Sequence, residues 1–133
     1  MKLLLISAVI LLSLDLLFLY ANQTMFQKQV YSVQQSPLRM RIGSAVACYI
    51  LLIFGLYYFI LLPKRSIVDA ILLGLIIYGV YETTTYALLA NWSLQTVLID
   101  TLWGGALLGL TTAFTYYIAT VDGTSLTKNH MRV

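Results

Sequence analysis

Charged residues are rare in this sequence. They make up 10% of the 133 residues, with eight Lys and Arg against five Asp and Glu, whereas a soluble domain carries about a quarter. The cations are scattered, with no basic run and no nucleic-acid-binding motif, so no nucleic-acid partner is expected. A folded chain with so little charge would expose too much apolar surface to water. The composition therefore excludes an ordinary soluble domain.

Cysteine and histidine are rarer still. Cys48 is the one cysteine, so no disulfide can form within the chain, and its apolar surroundings predict a buried, unreactive thiol. His130, the one histidine, lies in the polar C-terminal segment. The sequence has no HExxH, GxSxG, phosphate-binding loop or Rossmann glycine pattern, and no haem or iron–sulfur ligand set. We predict no catalytic residue, no metal site and no cofactor. An enzyme is the less favoured class, although a dyad of Glu82 and Asp100 could in principle do acid–base work.

Apolar residues, by contrast, make up 60% of the chain, and the mean hydropathy is +0.86. A helix needs around 20 residues to cross about 30 Å of hydrocarbon. Four apolar stretches have that length: residues 3–22, 42–62, 67–90 and 94–121. Helices are expected because unpaired backbone groups are too costly in lipid. The prediction is an all-α fold in a lipid bilayer: an integral membrane four-helix bundle over residues 1–121, followed by a polar tail at 122–133.

The connections between these stretches orient the bundle. Short basic loops tend to stay in the cytosol. The end that would hold both termini carries five cations and the other end carries three. These are Lys2, Lys64, Arg65, Lys128 and Arg132 at the first end, and Lys28, Arg39 and Arg41 at the second. We therefore expect both termini in the cytosol and the polar connection at residues 23–41 outside.

Three of the apolar stretches contain an acid well away from their ends. At ~1.5 Å per residue, Asp15, Glu82 and Asp100 lie about 18, about 22 and about 21 Å from the cytosolic face. An ionisable side chain in a membrane turns toward the bundle interior and not toward lipid. We therefore predict that the three acids converge in the outer half of the bundle, within about 10 Å of one another, since facing helices pack 8–10 Å apart.

Other polar side chains share helical faces with these acids or flank them. They form, with Asp15, Glu82 and Asp100, the predicted polar binding cluster: Tyr78, Tyr81, Thr84, Thr85, Tyr86, Trp103 and Arg41. Trp103 lies one turn from Asp100 and is expected to donate to it or to wall off the cluster. An arginine at the start of the second stretch could snorkel to a carboxylate. Otherwise at least one acid is expected to be protonated at neutral pH.

Two further patterns concern packing. Gly105, Gly109 and Ala113 are small residues at four-residue spacing, which lets a neighbouring helix approach closely. The neighbour could belong to the same bundle or to a second subunit, and the sequence leaves both open. Tyrosines at several helix ends and faces predict an interfacial aromatic belt. They are Tyr20, Tyr49, Tyr116 and Tyr117.

Three motifs resemble those of a known family. They are LDLLFL at residues 14–19, YETTTYA at residues 81–87, and DTLWG at residues 100–104, with Trp92 in the turn between the last two. The chain thus resembles an uncharacterised family of small predicted membrane proteins, found in bacteria and some large DNA viruses. It departs from the family pattern at Phe18, where Trp is usual, at Glu82, where Asp is usual, and at Thr85, where Asn is usual. The resemblance implies a four-helix membrane protein with a polar centre and implies no reaction.

Two functions remain open. In the first, the carboxylate cluster is a polar site for a proton, a cation or a lipid head group. In the alternative, the protein is a structural or accessory subunit of a membrane assembly or viral membrane, and the acids only lock helix packing. Conduction by a bundle of four helices would require several copies, so a homo-oligomer or a larger membrane complex is the expected partner.

Overall fold

The computed structural model describes residues 2–121, and most of them are helical. In chain order the helices are α1 (Lys2–Ala21), α2 (Gln23–Gln34), α3 (Ile42–Leu56), α4 (Ile67–Leu88) and α5 (Leu94–Val121). A π-helical turn at Tyr57–Leu61 extends α3. Within the described residues, α1, α3 with its π-helical turn, α4 and α5 are each long and apolar enough to cross a membrane. The predicted all-α membrane helical bundle is confirmed. The predicted tail at 122–133, with Lys128, His130 and Arg132, lies outside the described residues.

The connection after α1 differs from the expected loop, because α2 forms there. Asn22 separates α1 from α2 because its dihedral angles, φ −111° and ψ 18°, depart from helical values. Gln35 ends α2 in the left-handed conformation, at φ 59°, and its backbone N–H donates to the carbonyl of Tyr31 at 2.8 Å. Phe26 and Val30 are one turn apart and give this polar helix an apolar face. The helix lies at the end of the bundle away from the chain's N-terminus, hereafter the α2 end.

Helices α4 and α5 form the closest packed pair of the bundle. A Cβ atom added at Gly74 would collide with the backbone of Gly104, and one added at Gly104 would collide with the ring of Tyr78. Small residues are required at such a crossing because any side chain would separate the two backbones. The α4–α5 hairpin is therefore the part of the fold that fixes the relative rotation of its two helices.

The glycine ridge of α5 packs inside this hairpin. A Cβ atom at Gly105 would stand 2.8 Å from the Leu75 side chain, and one at Gly109 would stand 2.6 Å from Ile71. Leu75 and Ile71 both belong to α4. Of the two neighbours that the sequence left open, the ridge thus meets a helix of its own chain.

Helix α3 packs on α1 and has few close approaches to α4. An apolar groove of about 420 Å³ lies on this side, lined by Ser44, Ala47, Cys48, Leu51, Leu52 and Ile77. Cys48 is exposed there, so the prediction of a buried thiol is wrong. The apolar run around Cys48 faces away from the core because α3 contacts the bundle along only one side. We call this surface the α3–α4 groove.

At the opposite end of the bundle, hydrogen bonds and an ion pair hold the turn between α3 and α4 in place. Ser66 caps α4 by accepting from the backbone N–H of Asp69 at 3.1 Å. Arg65 pairs with Asp69 at 2.9 Å, and Tyr116 donates its hydroxyl to the Arg65 carbonyl at 2.6 Å. Tyr116 is fully buried. Its assignment to an interfacial belt is therefore wrong, because its ring lies in the core and its hydroxyl satisfies a turn carbonyl.

Candidate functional site: a carboxylate cavity at the α2 end

One cavity of about 320 Å³ is lined by all three of the acids that the sequence singled out. Side chains from every helix and from both connections at the α2 end surround it. The lining consists of Asp15, Leu19, Phe26, Val30, Leu38, Tyr49, Tyr78, Tyr81, Glu82, Trp92 and Asp100. Asp15 is 6% exposed and Glu82 is 1% exposed. We call this space the carboxylate cavity.

Asp15 joins three helices. The Tyr49 hydroxyl of α3 donates to its Oδ2 at 2.5 Å, and the Trp103 indole N–H of α5 donates to its Oδ1 at 2.9 Å. The Phe18 ring, one turn along α1, stacks on Trp103 with ring centroids 4.5 Å apart and planes 2° apart. A buried carboxylate is tolerated when both of its oxygens accept hydrogen bonds. Asp15 is therefore satisfied by uncharged donors.

Glu82 and Asp100 form the second part of the cavity. The Trp92 indole N–H, in the turn between α4 and α5, donates to Glu82 Oε1 at 2.9 Å. Asp100 lines the same cavity, and its carboxyl group interacts electrostatically with that of Glu82. Two ionised carboxylates so close together repel strongly where water is scarce. This pair differs from Asp15 because one indole donates to one Glu82 oxygen, whereas both oxygens of Asp15 accept from neutral donors.

Helix α2 lies over the cavity and is fastened to the α4–α5 turn. The buried Gln29 side chain donates to the carbonyl of Asn91 at 2.5 Å and accepts from the Ser93 N–H at 2.9 Å and the Thr96 hydroxyl at 3.0 Å. Asn91 returns a hydrogen bond to the carbonyl of Ser32 at 2.9 Å. The α2 residues Phe26 and Val30 then reach the cavity wall. The amide of Gln29 thus positions the apolar face of α2 above the acids.

The predicted cluster residues divide into two groups. Tyr78 and Tyr81 line the cavity, and Trp103 donates to Asp15, not to the expected Asp100. The Tyr78 ring fits against α5 because Gly104 has no side chain there. Trp103 selects Asp15 because its indole lies on the side of α5 that meets α1.

The remaining predicted residues lie outside the cavity lining. Thr84 and Tyr86 are exposed on α4, and the Thr85 hydroxyl donates to the Tyr81 carbonyl of its own helix at 2.8 Å. Arg41 is exposed just before α3 and forms no salt bridge with an acid of residues 2–121. An arginine is not needed at Asp15, since neutral donors already occupy both of its oxygens.

Sequence reasoning missed six of the residues that line the cavity, and two of these six donate hydrogen bonds to its acids. Tyr49 was assigned to an interfacial belt, yet its hydroxyl is bound to Asp15. Trp92 was recognised only as a turn residue, yet it donates to Glu82. The available signal was the need of a buried indole or phenol for an acceptor. Within residues 2–121, no three side chains of the metal-binding types form a group that could hold a metal ion.

Comparison with known proteins agrees with the motifs found in the sequence. No curated protein and no solved structure gives a significant match to the chain. The model of the family described as "Predicted membrane protein (DUF2177)" matches residues 1–117, which include every residue of the carboxylate cavity. The family match covers most of the 133 residues, and the chain therefore belongs to this family of predicted multi-pass membrane proteins.

Proposed function

We propose that this multi-pass membrane protein binds a positively charged group in the carboxylate cavity. The observation that carries the proposal is that three acids line one cavity, while no Lys or Arg of residues 2–121 lines it. Intramembrane acids are costly and normally pair with a positive partner or line a path or site. A proton, a cation or a cationic head group would supply the missing positive charge.

The three acids have different roles in this proposal. Glu82 and Asp100 are the binding pair, because a positive charge between them would relieve their mutual repulsion. Asp15 is a positioning residue, because Tyr49 and Trp103 already occupy its two oxygens. A ligand at the pair would therefore interact directly with α4 and α5 and would leave the joint between α1, α3 and α5 intact.

The second candidate function is a structural or accessory subunit, and the contacts of Asp15 favour it. One carboxylate that accepts from two other helices fixes the rotation of three helices at once. Hydrogen bonds between membrane helices contribute ~0.6 kcal/mol each on average. In this case Glu82 and Asp100 would serve only to hold Trp92 and the α4–α5 turn in place.

The two tryptophans provide a direct test, because each donates to a different acid of the cavity. In the Trp103→Phe variant, Trp92 is the sole tryptophan and reports on Glu82. The purified variant, in lipid nanodiscs, would be titrated with ammonium, methylammonium and potassium chlorides and with acid. We expect a saturable change in Trp92 emission with at least one of these cations.

Asp100→Asn is the deciding variant, since it keeps the size of the side chain and the hydrogen bond between Trp92 and Glu82. The saturable change should disappear in Asp100→Asn and persist in Asp69→Asn, a matched change at the opposite end of the bundle. Circular dichroism would verify that both variants remain helical. An emission change that survives in Asp100→Asn, or its absence from the parent variant, would leave only the structural function.

A further inference from the structure

Consecutive residues of α3 and of α4 line the α3–α4 groove and the carboxylate cavity. Cys48 lines the groove and the next residue, Tyr49, lines the cavity, and the same holds for Ile77 and Tyr78 on α4. The Cys48 side chain is close enough to Asp15 and Tyr78 to interact with them electrostatically. The polar cavity and the apolar groove, about 420 Å³ in volume, thus lie on neighbouring faces of the same two helices.

The groove opens on the outer surface of the bundle, where the bilayer lies. Leu51, in its wall, is 70% exposed, and Ile50 and Ile76 beside it are 60% and 61% exposed. Apolar side chains at this depth of a membrane-spanning helix meet acyl chains. The surrounding bilayer therefore offers this groove the hydrocarbon chain of a lipid.

The segment between α2 and α3, which reaches the cavity wall through Leu38, carries the opposite charge. Leu38 lines the cavity, and the neighbouring Arg39 and Arg41 are both exposed. Neither arginine forms a salt bridge with an acid in the described part of the chain. The cavity holds carboxyl groups, and the exposed guanidinium groups belong to the segment beside it. This arrangement matches a zwitterion whose positive end enters the cavity and whose phosphate stays outside, since Arg binds phosphate oxygens well.

We propose that the cavity and groove together bind a zwitterionic phospholipid whose head group ends in a primary ammonium. This inference rests on the proposed function and names its ligand class. The ammonium lies between Glu82 and Asp100, the phosphate lies toward Arg39 and Arg41, and one acyl chain lies in the α3–α4 groove. A primary ammonium has three N–H donors for carboxylate oxygens, which a quaternary ammonium lacks. The tyrosine rings of the wall add cation–π attraction.

The single cysteine makes lipid occupancy measurable without any new label. The full chain would be placed in nanodiscs of phosphatidylcholine alone, or with part of it replaced by phosphatidylethanolamine or by phosphatidylglycerol. The rate of Cys48 alkylation by a membrane-permeant maleimide is then compared. Phosphatidylethanolamine should slow alkylation about threefold, as mass action gives when the lipid is present at about twice its dissociation constant. Phosphatidylglycerol should leave the rate at its phosphatidylcholine value.

Variants separate head-group recognition from general effects of bilayer composition. Protection by phosphatidylethanolamine should be lost in Asp100→Asn, and in Glu82→Gln if Asp100→Asn does not fold, and should be retained in Asp69→Asn. Equal alkylation rates in all three lipids, or protection that persists in both cavity variants, would overturn the inference.

The tryptophan titration distinguishes this inference from the function on which it rests. If small ammonium ions change Trp92 emission but phosphatidylethanolamine does not protect Cys48, the cation site stands and the lipid ligand is wrong. If neither response occurs, both proposals are wrong.

Discussion

Removal of the Asp15 carboxylate should loosen three helices at once. In Asp15→Ala, the Tyr49 hydroxyl and the Trp103 indole both lose their acceptor. At ~0.6 to ~1.7 kcal/mol for each hydrogen bond between membrane helices, the loss of two gives a destabilisation of about 1 to 3 kcal/mol. The stack of Phe18 on Trp103 is unaffected by this change. Asp15→Asn should lose about half as much, because its NH₂ group, which only donates, replaces one of the two oxygens that accept from Tyr49 and Trp103.

The free energy of unfolding of the purified protein would be measured by reversible denaturation in mixed micelles. A double-mutant cycle of Asp15→Ala and Tyr49→Phe isolates the contribution of their hydrogen bond. Tyr20→Phe is the matched control, because Tyr20 is 73% exposed. We expect a coupling energy of at least ~0.6 kcal/mol for the first pair and no coupling between Asp15 and Tyr20.

Two results would refute this reasoning. If the effects of Asp15→Ala and Tyr49→Phe are additive, the hydrogen bond contributes nothing to stability. If Asp15→Ala is as stable as the wild type, the acid does not lock the bundle, and a structural role would have to be assigned to the other two acids alone.

Three further predictions concern other parts of the fold. Gly74→Ala should destabilise the protein by about 1 to 3 kcal/mol through overpacking against α5, whereas Gly55→Ala, which meets nothing within 4 Å, should be neutral or stabilising in the same denaturation assay. Gln29→Ala should expose the cavity and speed amide hydrogen exchange of the α4–α5 turn, and the control Gln27→Ala, at an exposed position, should not. In a chain that otherwise lacks cysteine, Gln34→Cys should react with an impermeant thiol reagent from outside the cell. Labelling only after permeabilisation would reverse the predicted orientation.

The length and the low polarity of the four apolar stretches were enough to predict the membrane helices. Helix α5 covers Leu94–Val121, the same range as the fourth stretch, because a helix in lipid must pair every backbone group and so extends across the hydrocarbon. The polar segment at residues 23–41 was harder to interpret. A twelve-residue helix such as α2 is marginal alone, and it is held here by the contacts of Gln29 with residues remote in sequence.

The sequence alone also predicted that the three acids lie at a similar level along the bundle, because each residue of a helix advances it by a fixed ~1.5 Å. Asp15, Glu82 and Asp100 consequently line one cavity. Only the tertiary structure decided which side chains donate to these acids. Tyr49 and Trp103 donate to Asp15, and Trp92 donates to Glu82. Such partners depend on how each helix is rotated about its axis. That rotation is set by close packing between helices that are distant in sequence. It therefore cannot be predicted from the residue periodicity of a single helix.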